Sequence, residues 1–460
     1  MTAARSVDAL VAEIGSTTTV VSAFEGLAEW PDSRPRLIGQ GFAPTTVAHG
    51  DVGIGFGHAR SALEASLGVL EPGLTVATSS AAGGLRMTVH GLTSKMTAMA
   101  AREAALGAGG VVEHQTSGHL RGIDLERIDE AAPGLILLAG GVEGGDSEVV
   151  LFNAEQLTRL SVRPIVVYAG NSSAAPEALE ILTAAGFRVR LTQNVYPSVD
   201  EIDIVPARHA IHDAFEEHIT QAPGMQRIGE LVTGRILPTP GAVLIAAEVL
   251  AGELGDLIVV DVGGATTDVH SVTDGTPEIS AIATDPQPRA KRTVEGDLGT
   301  YVSARHVAEL LVPAERPVLL PPAVPSTPEE IASAAVLART ATLTAVERHA
   351  GRLVHLYTPK GRQTVAKGRD LTACRLIVGT GGALTRLPGG DAILAEVRSP
   401  AAGGDRLLPP ADAVVALDRQ YVFAACGALA VHFPDEAIVA LMRESIGVWD
   451  MQADSPRRNQ

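Results

Sequence analysis

Aromatic side chains are scarce in this chain, at 3% of 460 residues, and cysteine occurs only twice, at Cys374 and Cys426. The two cysteines lie far apart with no metal-ligand spacing, which excludes a disulfide scaffold and a cysteine-based metal site; both are expected to be buried apolar fillers. No run of about 18 uninterrupted apolar residues occurs, which excludes a membrane-spanning helix. Positive charge is also short: the net charge is −17, which argues against nucleic acid as a partner drawn by the bulk surface field. The opening residues, MTAARSVDALVAEIG, lack a charged segment followed by a long apolar core and cleavage site, so a cytoplasmic location and no membrane partner are expected.

What is plentiful is small and aliphatic: 46% of residues are hydrophobic and 48 are glycine. That composition suits an α/β protein with many tight turns. The length exceeds one ordinary core and implies two or three domains. Strand-like runs at 7–14, 73–80, 134–141, 163–170 and 187–195 alternate with helical stretches such as 58–68 and 175–186. This alternation predicts parallel strands with helical crossovers. Two further strands, at 256–264 and 375–382, follow a boundary placed near 235, giving halves of 1–235 and 236–450 with a frayed tail at 451–460. The proline-dense stretch VPAERPVLLPPAVPSTP (312–328) ends in a helix start, with Thr327 as N-cap, Pro328 in the first turn and Glu330 three residues on.

One pattern occurs twice. Residues 257–272 read LIVVDVGGATTDVHSV and residues 9–24 read ALVAEIGSTTTVVSAF. Glu13 stands where Asp261 stands, Gly15 matches Gly263, and Thr18 and Thr19 match Thr266 and Thr267. A strand that ends on an acid, turns on glycine and leaves as another strand exposes backbone amides on a concave loop, where a Cβ would block a phosphate. Gly15, Ser16, Thr17 and Thr18 in the first loop are the candidate phosphate ligands, with Gly263, Gly264, Thr266 and Thr267 in the second. A carboxylate at the strand end repels phosphate but suits a Mg²⁺ ion held through its waters, or an attacking water. Glu13 and Asp261 are therefore the candidate metal residues, Asp261 is a candidate catalytic residue, and Asp268 is a second one that supports the loop or orients water. A third element, Gly379-Thr380-Gly381-Gly382 after the strand at 375, offers backbone for the adenosine end of ATP.

This order of elements resembles the ATPase superfamily of actin, sugar kinases and Hsp70 chaperones. The resemblance implies an α/β fold of two duplicated actin/Hsp70-like (ribonuclease H-like) ATPase domains with a nucleotide cleft between them. Residues 239–255 and 421–433 look like its two connecting helices. A narrower resemblance covers nearly the whole chain: TVATSSAAGGLRM (75–87), PARHAIHDAF (206–215), ILPTPGAVLIAAEVLA (236–251), AKRTVEGDLGT (290–300) and VGTGGALTRL (378–387) look like the MutL/GlmL family of glutamate mutase accessory proteins. That resemblance implies an ATP-dependent reactivating chaperone whose partner is an adenosylcobalamin-dependent mutase subunit. Two departures from the superfamily pattern point to a slow ATPase: Glu13 replaces the usual Asp, and Thr239-Pro240 stands where Hsp70-like chaperones carry an acid.

Other segments carry weaker signals. AGGVEGG (139–145) is a poor dinucleotide fingerprint, because DSEVVLF is not expected to open a helix with the third glycine in place. His209, His212 and His218 lack a companion metal ligand and are expected on a solvated or interface face. In AKRTVEGDLG, Lys291 and Arg292 reach a phosphate or a partner's acid, or else Glu295 and Asp297 hold a local loop; the sequence leaves both readings open. A small-molecule kinase and a non-hydrolysing scaffold also stay open as functions, as does the oligomeric state.

Overall fold

The computed structural model describes residues 4–81, 84–358, 361–400 and 404–448. The tail expected at 451–460 lies outside the described residues. The chain divides into two compact units. The first comprises the N-terminal residues through Ala28 together with Leu37–Ala242; the second comprises Glu29–Arg36 and the residues from Val243 on. The division falls inside the helix Thr239–Leu254.

Among the described residues the first unit contains ten strands: β1 (Arg5–Ile14), β2 (Thr18–Glu25), β3 (Arg36–Pro44), β4 (Leu70–Ser79), β5 (Leu85–Gly91), β6 (Gly110–Ser117), β7 (Leu135–Leu138), β8 (Ile165–Tyr168), β9 (Val189–Leu191) and β10 (Ile236–Pro238). They form two sheets. One has the order β3-β2-β1-β4-β10, with β1 antiparallel to β2 and parallel to β4. Leu10, Val11, Ala12 and Ile14 of β1 are all buried, which is why this strand reads as a continuous apolar run rather than an alternation. The other sheet, β6-β5-β7-β8-β9, is parallel throughout. Its crossovers are the helices Thr97–Gly107, Gly122–Ala131, Glu148–Leu157 and Ala175–Ala184. β7 and β8 are four-residue strands, LILL and IVVY, buried at every position.

The helix Glu148–Leu157 corrects an expectation. Residues DS end the glycine-rich loop and a helix does open directly after it, with Glu148 in its first turn. The loop itself is closed by its neighbours: Asn171 Nδ2 donates to Gly145 O and Ser147 Oγ, and Asn194 Nδ2 donates to Gly141 O and the Glu143 carboxylate. The histidines are corrected too. On the helix Val205–Ile219, His209 is exposed but His212 is buried, since the apolar face carries Ala207, Ile211 and Phe215 inward with it. Burial, with Arg208 close by, pushes the His212 imidazole down to about 3, so it is neutral.

The second unit adds β11 (Leu257–Val262), β12 (Thr267–Val272), β13 (Ala290–Glu295), β14 (Arg352–Thr358), β15 (Gly361–Lys367), β16 (Leu376–Thr380) and β17 (Val414–Leu417). Its main sheet runs β13-β12-β11-β16-β17, with β12 antiparallel to both β11 and β13, and β16 parallel to β11 and β17. Numbered within each sheet, this one and the β3-β2-β1-β4-β10 sheet both have the order 3-2-1-4-5 with the second strand reversed. That is the ribonuclease H-like sheet of the actin/Hsp70-like ATPases, and the chain carries it twice. The helix Pro328–His349 covers the second sheet, placing Leu337, Ala338, Ala341 and Ala345 in its core. It starts at the capping box read from the sequence, Thr327 accepting from Glu330 N and the Glu330 carboxylate accepting from Thr327 N. β14 and β15 form a separate two-stranded ribbon. No helix among the described residues is long and apolar enough to cross a membrane.

Candidate nucleotide site

In the second unit, four buried residues, Leu257–Val260, lead β11 to Asp261, which is half-buried. The turn that follows closes when Gly263 N donates to Thr266 O at 2.9 Å. Every carbonyl in the turn is then drawn away by the segment after β13. Thr300 N donates to Gly263 O, Tyr301 N and Val302 N both donate to Gly264 O, and Ser303 Oγ donates to Ala265 O. With their carbonyls tied back, the amides of Gly264, Ala265 and Thr266 have no protein acceptor among the described residues, and Gly264 is exposed. Consecutive unpaired amides on one concave turn form an anion cradle. The backing segment approaches so closely that a Cβ at Gly299 would lie 2.4 Å from Ala265 O.

The first unit repeats this construction from different parts. Gly15 N donates to Thr18 O at 3.0 Å, closing the same turn. Here Thr45 draws the carbonyls back: its Oγ1 donates to Gly15 O and its N–H to Thr17 O, each at 2.9 Å. The amides of Ser16, Thr17 and Thr18 are left without protein acceptors among the described residues, and Ser16 and Thr17 are exposed. Glu13 precedes Gly15 by two residues, as Asp261 precedes Gly263.

The hydroxyls of three threonines at these turns serve the fold: Thr267, expected as a phosphate ligand, Thr19, its match in the first loop, and Thr380, expected to offer backbone. Thr19 and Thr267 are fully buried. Thr19 Oγ1 bonds to Thr45 Oγ1, and Thr267 Oγ1 donates to Leu298 O. Thr380 Oγ1 donates to Asp418. In the β11–β12 pair, side chains at successive positions face opposite sides, so Thr267 points inward while Thr266 stays at the mouth. Only the backbone of Thr267 and Thr380 is left for a ligand.

Asp268 is held in an ion pair. Arg292 Nε and Nη2 approach its Oδ1 at 2.7 and 2.5 Å, and Thr266 Oγ1 donates to Oδ2 at 3.2 Å. Both charged side chains are buried, Arg292 at 1% exposure. Arg292 is thus neither a phosphate ligand nor a partner contact, the alternatives its motif left open, because register sets β13 beside β12. Glu295 and Asp297 hold Arg348, at 2.6 and 2.8 Å, and so secure the local loop.

The third element joins this group. β16 lies parallel to β11 with Thr380 in register with Asp261. Gly381 then turns the chain with φ 82°, and a Cβ there would sit 2.4 Å from Asp261 Oδ1. Gly382 opens the short helix Gly382–Thr385 and is exposed. Sequence reasoning missed Asp418, which anchors this turn from behind. Fully buried at the end of β17, it accepts from Thr380 Oγ1, Val422 N, Phe423 N and Ser445 Oγ. Burial raises its carboxyl above the usual range, and these donors oppose that rise. The available signal was an acid directly after a strand and before the small-residue helix Phe423–Leu429.

The donor set fits one hard cation. Among the described residues no three His, Cys, Asp or Glu side chains cluster as a metal cage. Mg²⁺ suits such a site, since it keeps its waters and binds through one or two carboxylates and substrate phosphates. Asp261 is the carboxylate beside the second cradle, and the Arg292 pairing removes Asp268 from that role.

The family model described as MutL protein matches residues 9–446. A protein of Clostridium tetanomorphum, "Protein MutL", is 37% identical over 420 residues, covering 85% of this chain and 91% of its own. Among solved structures, an acetone carboxylase in nucleotide-free form is similar at 12% identity and a TM-score of 0.33, covering 92% of this chain and 70% of that one. A nucleotide-free diol dehydratase-reactivating factor is similar at 9% identity and a TM-score of 0.32, covering 92% and 99%. At such TM-scores these two likenesses carry no weight, and the fold rests on the strand orders.

Proposed function

Since the chain belongs to the MutL family, we propose that it binds ATP with Mg²⁺, hydrolyses it slowly, and serves as a reactivating chaperone of an adenosylcobalamin-dependent mutase. One observation supports the nucleotide reading above all others. Two hairpins of unrelated backing segments both end with carbonyls tied back and three amides free beside a strand-end carboxylate. Selection for a β-turn alone does not call for that duplication; binding of a polyanion does.

In this reading the turn amides take phosphate oxygens and stabilise the charge that develops as water attacks the γ-phosphate. Asp261 orients that water or the waters of the metal. Mg²⁺, when bound, neutralises charge on the β- and γ-phosphates. Gly381 and Gly382 offer backbone to the adenosine end. Asp268 acts one step back, fixing Thr266 at the mouth of the cradle while Arg292 cancels its charge. Glu13, one methylene longer than aspartate, sets its carboxylate further from its strand, consistent with slow turnover. The mutase partner follows from family resemblance.

The test is phosphate release by the purified protein with Mg²⁺ and ATP, alone and with a cobalamin mutase inactivated by turnover. Slow release that quickens with the mutase, together with recovery of mutase activity, is the expected result. Stoichiometric phosphorylation of a metabolite would transfer the assignment to a kinase. Absence of nucleotide binding by calorimetry would leave only a scaffold.

A further inference from the structure

The segment that backs the second cradle brings an aromatic side chain to its edge. Tyr301 N donates to Gly264 O at 2.8 Å, and Tyr301 O accepts from Ala304 N at 3.3 Å. Both backbone groups are occupied, which fixes the Tyr301 Cα beside the loop. The Tyr301 Cβ lies 3.5 Å from the place that a Gly264 Cβ would take. Gly264 is exposed and carries no side chain to screen the loop from the ring.

The ring itself is uncommitted. Tyr301 is 44% exposed, and its side chain makes no hydrogen bond or ring contact among the described residues. Of the phenylalanines and tyrosines among the described residues, only Phe42, Tyr301 and Tyr357 are exposed. A ring left in water beside a phosphate loop is therefore not the habit of this chain. The first cradle has no counterpart: its backing residue is Thr45, whose hydroxyl is already engaged with Gly15 O and Thr19 Oγ1. A phenol is a neutral donor, so it adds a hydrogen bond at the second cradle without altering the charge there. Its two side-chain torsions cost little to order, and a turn of χ1 between staggered positions carries the hydroxyl across the loop.

We propose that Tyr301 is a phosphate-binding residue. With a nucleotide on the Gly264–Thr266 amides, its ring swings over Gly264 and its hydroxyl donates to a phosphate oxygen. A hydrogen bond to a charged oxygen is stronger than one between neutral groups. The ligand is the polyphosphate chain and not the base, because the residue that Tyr301 borders belongs to the phosphate loop. The assignment rests on the ATP-binding reading of this site and adds to it a side chain that neither glycine-rich turn supplies.

The test is calorimetric titration of the full chain with inorganic tripolyphosphate, ATP and adenosine, each with Mg²⁺. Tyr301→Phe removes one oxygen and keeps the ring. Tyr357→Phe is the control, since Tyr357 is 85% exposed on β14 and lies outside the site. Tyr301→Phe should bind tripolyphosphate and ATP roughly tenfold more weakly and adenosine as wild type does, while Tyr357→Phe should match wild type throughout. Equal tripolyphosphate affinity in wild type and Tyr301→Phe overturns the proposal and leaves the ATP reading standing. A loss confined to adenosine, or an equal loss in Tyr357→Phe, overturns it too. Wild type that binds none of the three overturns both. Nitration by tetranitromethane, read by peptide mass spectrometry, places the contact directly. Saturating tripolyphosphate should shield Tyr301 and not Tyr357, and undiminished nitration of Tyr301 would refute the contact.

Discussion

Gly381→Ala is the substitution that most directly probes whether the adenosine turn and the second phosphate loop form one site. Two costs are built in. Gly381 has φ 82°, a region that costs an alanine about 1–2 kcal/mol. The new methyl would also sit 2.4 Å from Asp261 Oδ1 and 2.5 Å from Val262 O. Ordinary contact begins near 3.4 Å, so the carboxylate or the turn must move by roughly 1 Å. A displacement of that size at a reacting group costs about a hundredfold in rate. The strain alone lowers the melting point by only a few degrees, at about 2–4 °C per kcal/mol for a unit of this size. Gly252→Ala is the control: it is exposed, helical, outside the residues assigned to the site, and has nothing within 4 Å of the added methyl. Steady-state phosphate release and a thermal melt on both variants decide the matter. Gly381→Ala should be folded and about a hundredfold slower, and Gly252→Ala close to wild type. If the two variants turn over ATP equally, Asp261 does not do its work from the place the turn assigns it.

Asp261→Asn should cut phosphate release at least about tenfold while calorimetric ATP affinity is largely kept; unchanged release would remove Asp261 from the chemistry. Arg292→Met strands the Asp268 carboxylate in a buried position and should cost about 3–5 kcal/mol in urea unfolding. A loss below about 1 kcal/mol would mean the pair is not buried in solution. Acid should weaken the first unit through His90 and His212, both held near 3 by burial. Below about 6.5 the unfolded chain binds protons that the folded one refuses, so stability falls from there toward pH 3, by about 2 kcal/mol per histidine at pH 5. His270 behaves alike in the second unit: it is fully buried, lies well below its ordinary value, and neither ring nitrogen has a partner among the described residues. His270→Leu should therefore flatten that unit's loss of stability between pH 6.5 and 5, measured by denaturant titration, and an unaltered slope would contradict the buried neutral ring.

Local patterns were readable in the chain and register was not. An acid, a glycine and a run of threonines between two apolar segments specify a turn within a few positions, so both hairpin turns could be placed from sequence. The capping box at Thr327 and Glu330 is equally local. The Asp268–Arg292 pair is different, because it depends on β13 lying beside β12 in one register. A shift by one residue would turn Arg292 to the opposite face. Thr267 reads as a hydroxyl ligand for the same reason: without the pleat, inward and outward threonines look identical. His212 went unrecognised as a core residue because three histidines on one helix read as polar. The helix after the glycine-rich loop was overlooked since Asp146 and Ser147 prolong the turn before Glu148 begins it. The strands at 134–141, 163–170 and 187–195 are legible in the sequence; β5 and β6 are not among those read, nor is it legible that all five form a sheet of their own.

That second sheet has a bearing on how the protein is made. β10 completes the first sheet by pairing with β4, and the Thr75 N–H bond to Thr233 Oγ1 links positions 158 residues apart. A ribosome delivers β5 through β9 in that interval. The parallel sheet can thus take shape while its host is still missing an edge, and the host closes only when the late strand arrives. Synthesis order makes the guest element the earlier folder, and a stall before residue 236 would leave β4 with a bare flank for other chains to join.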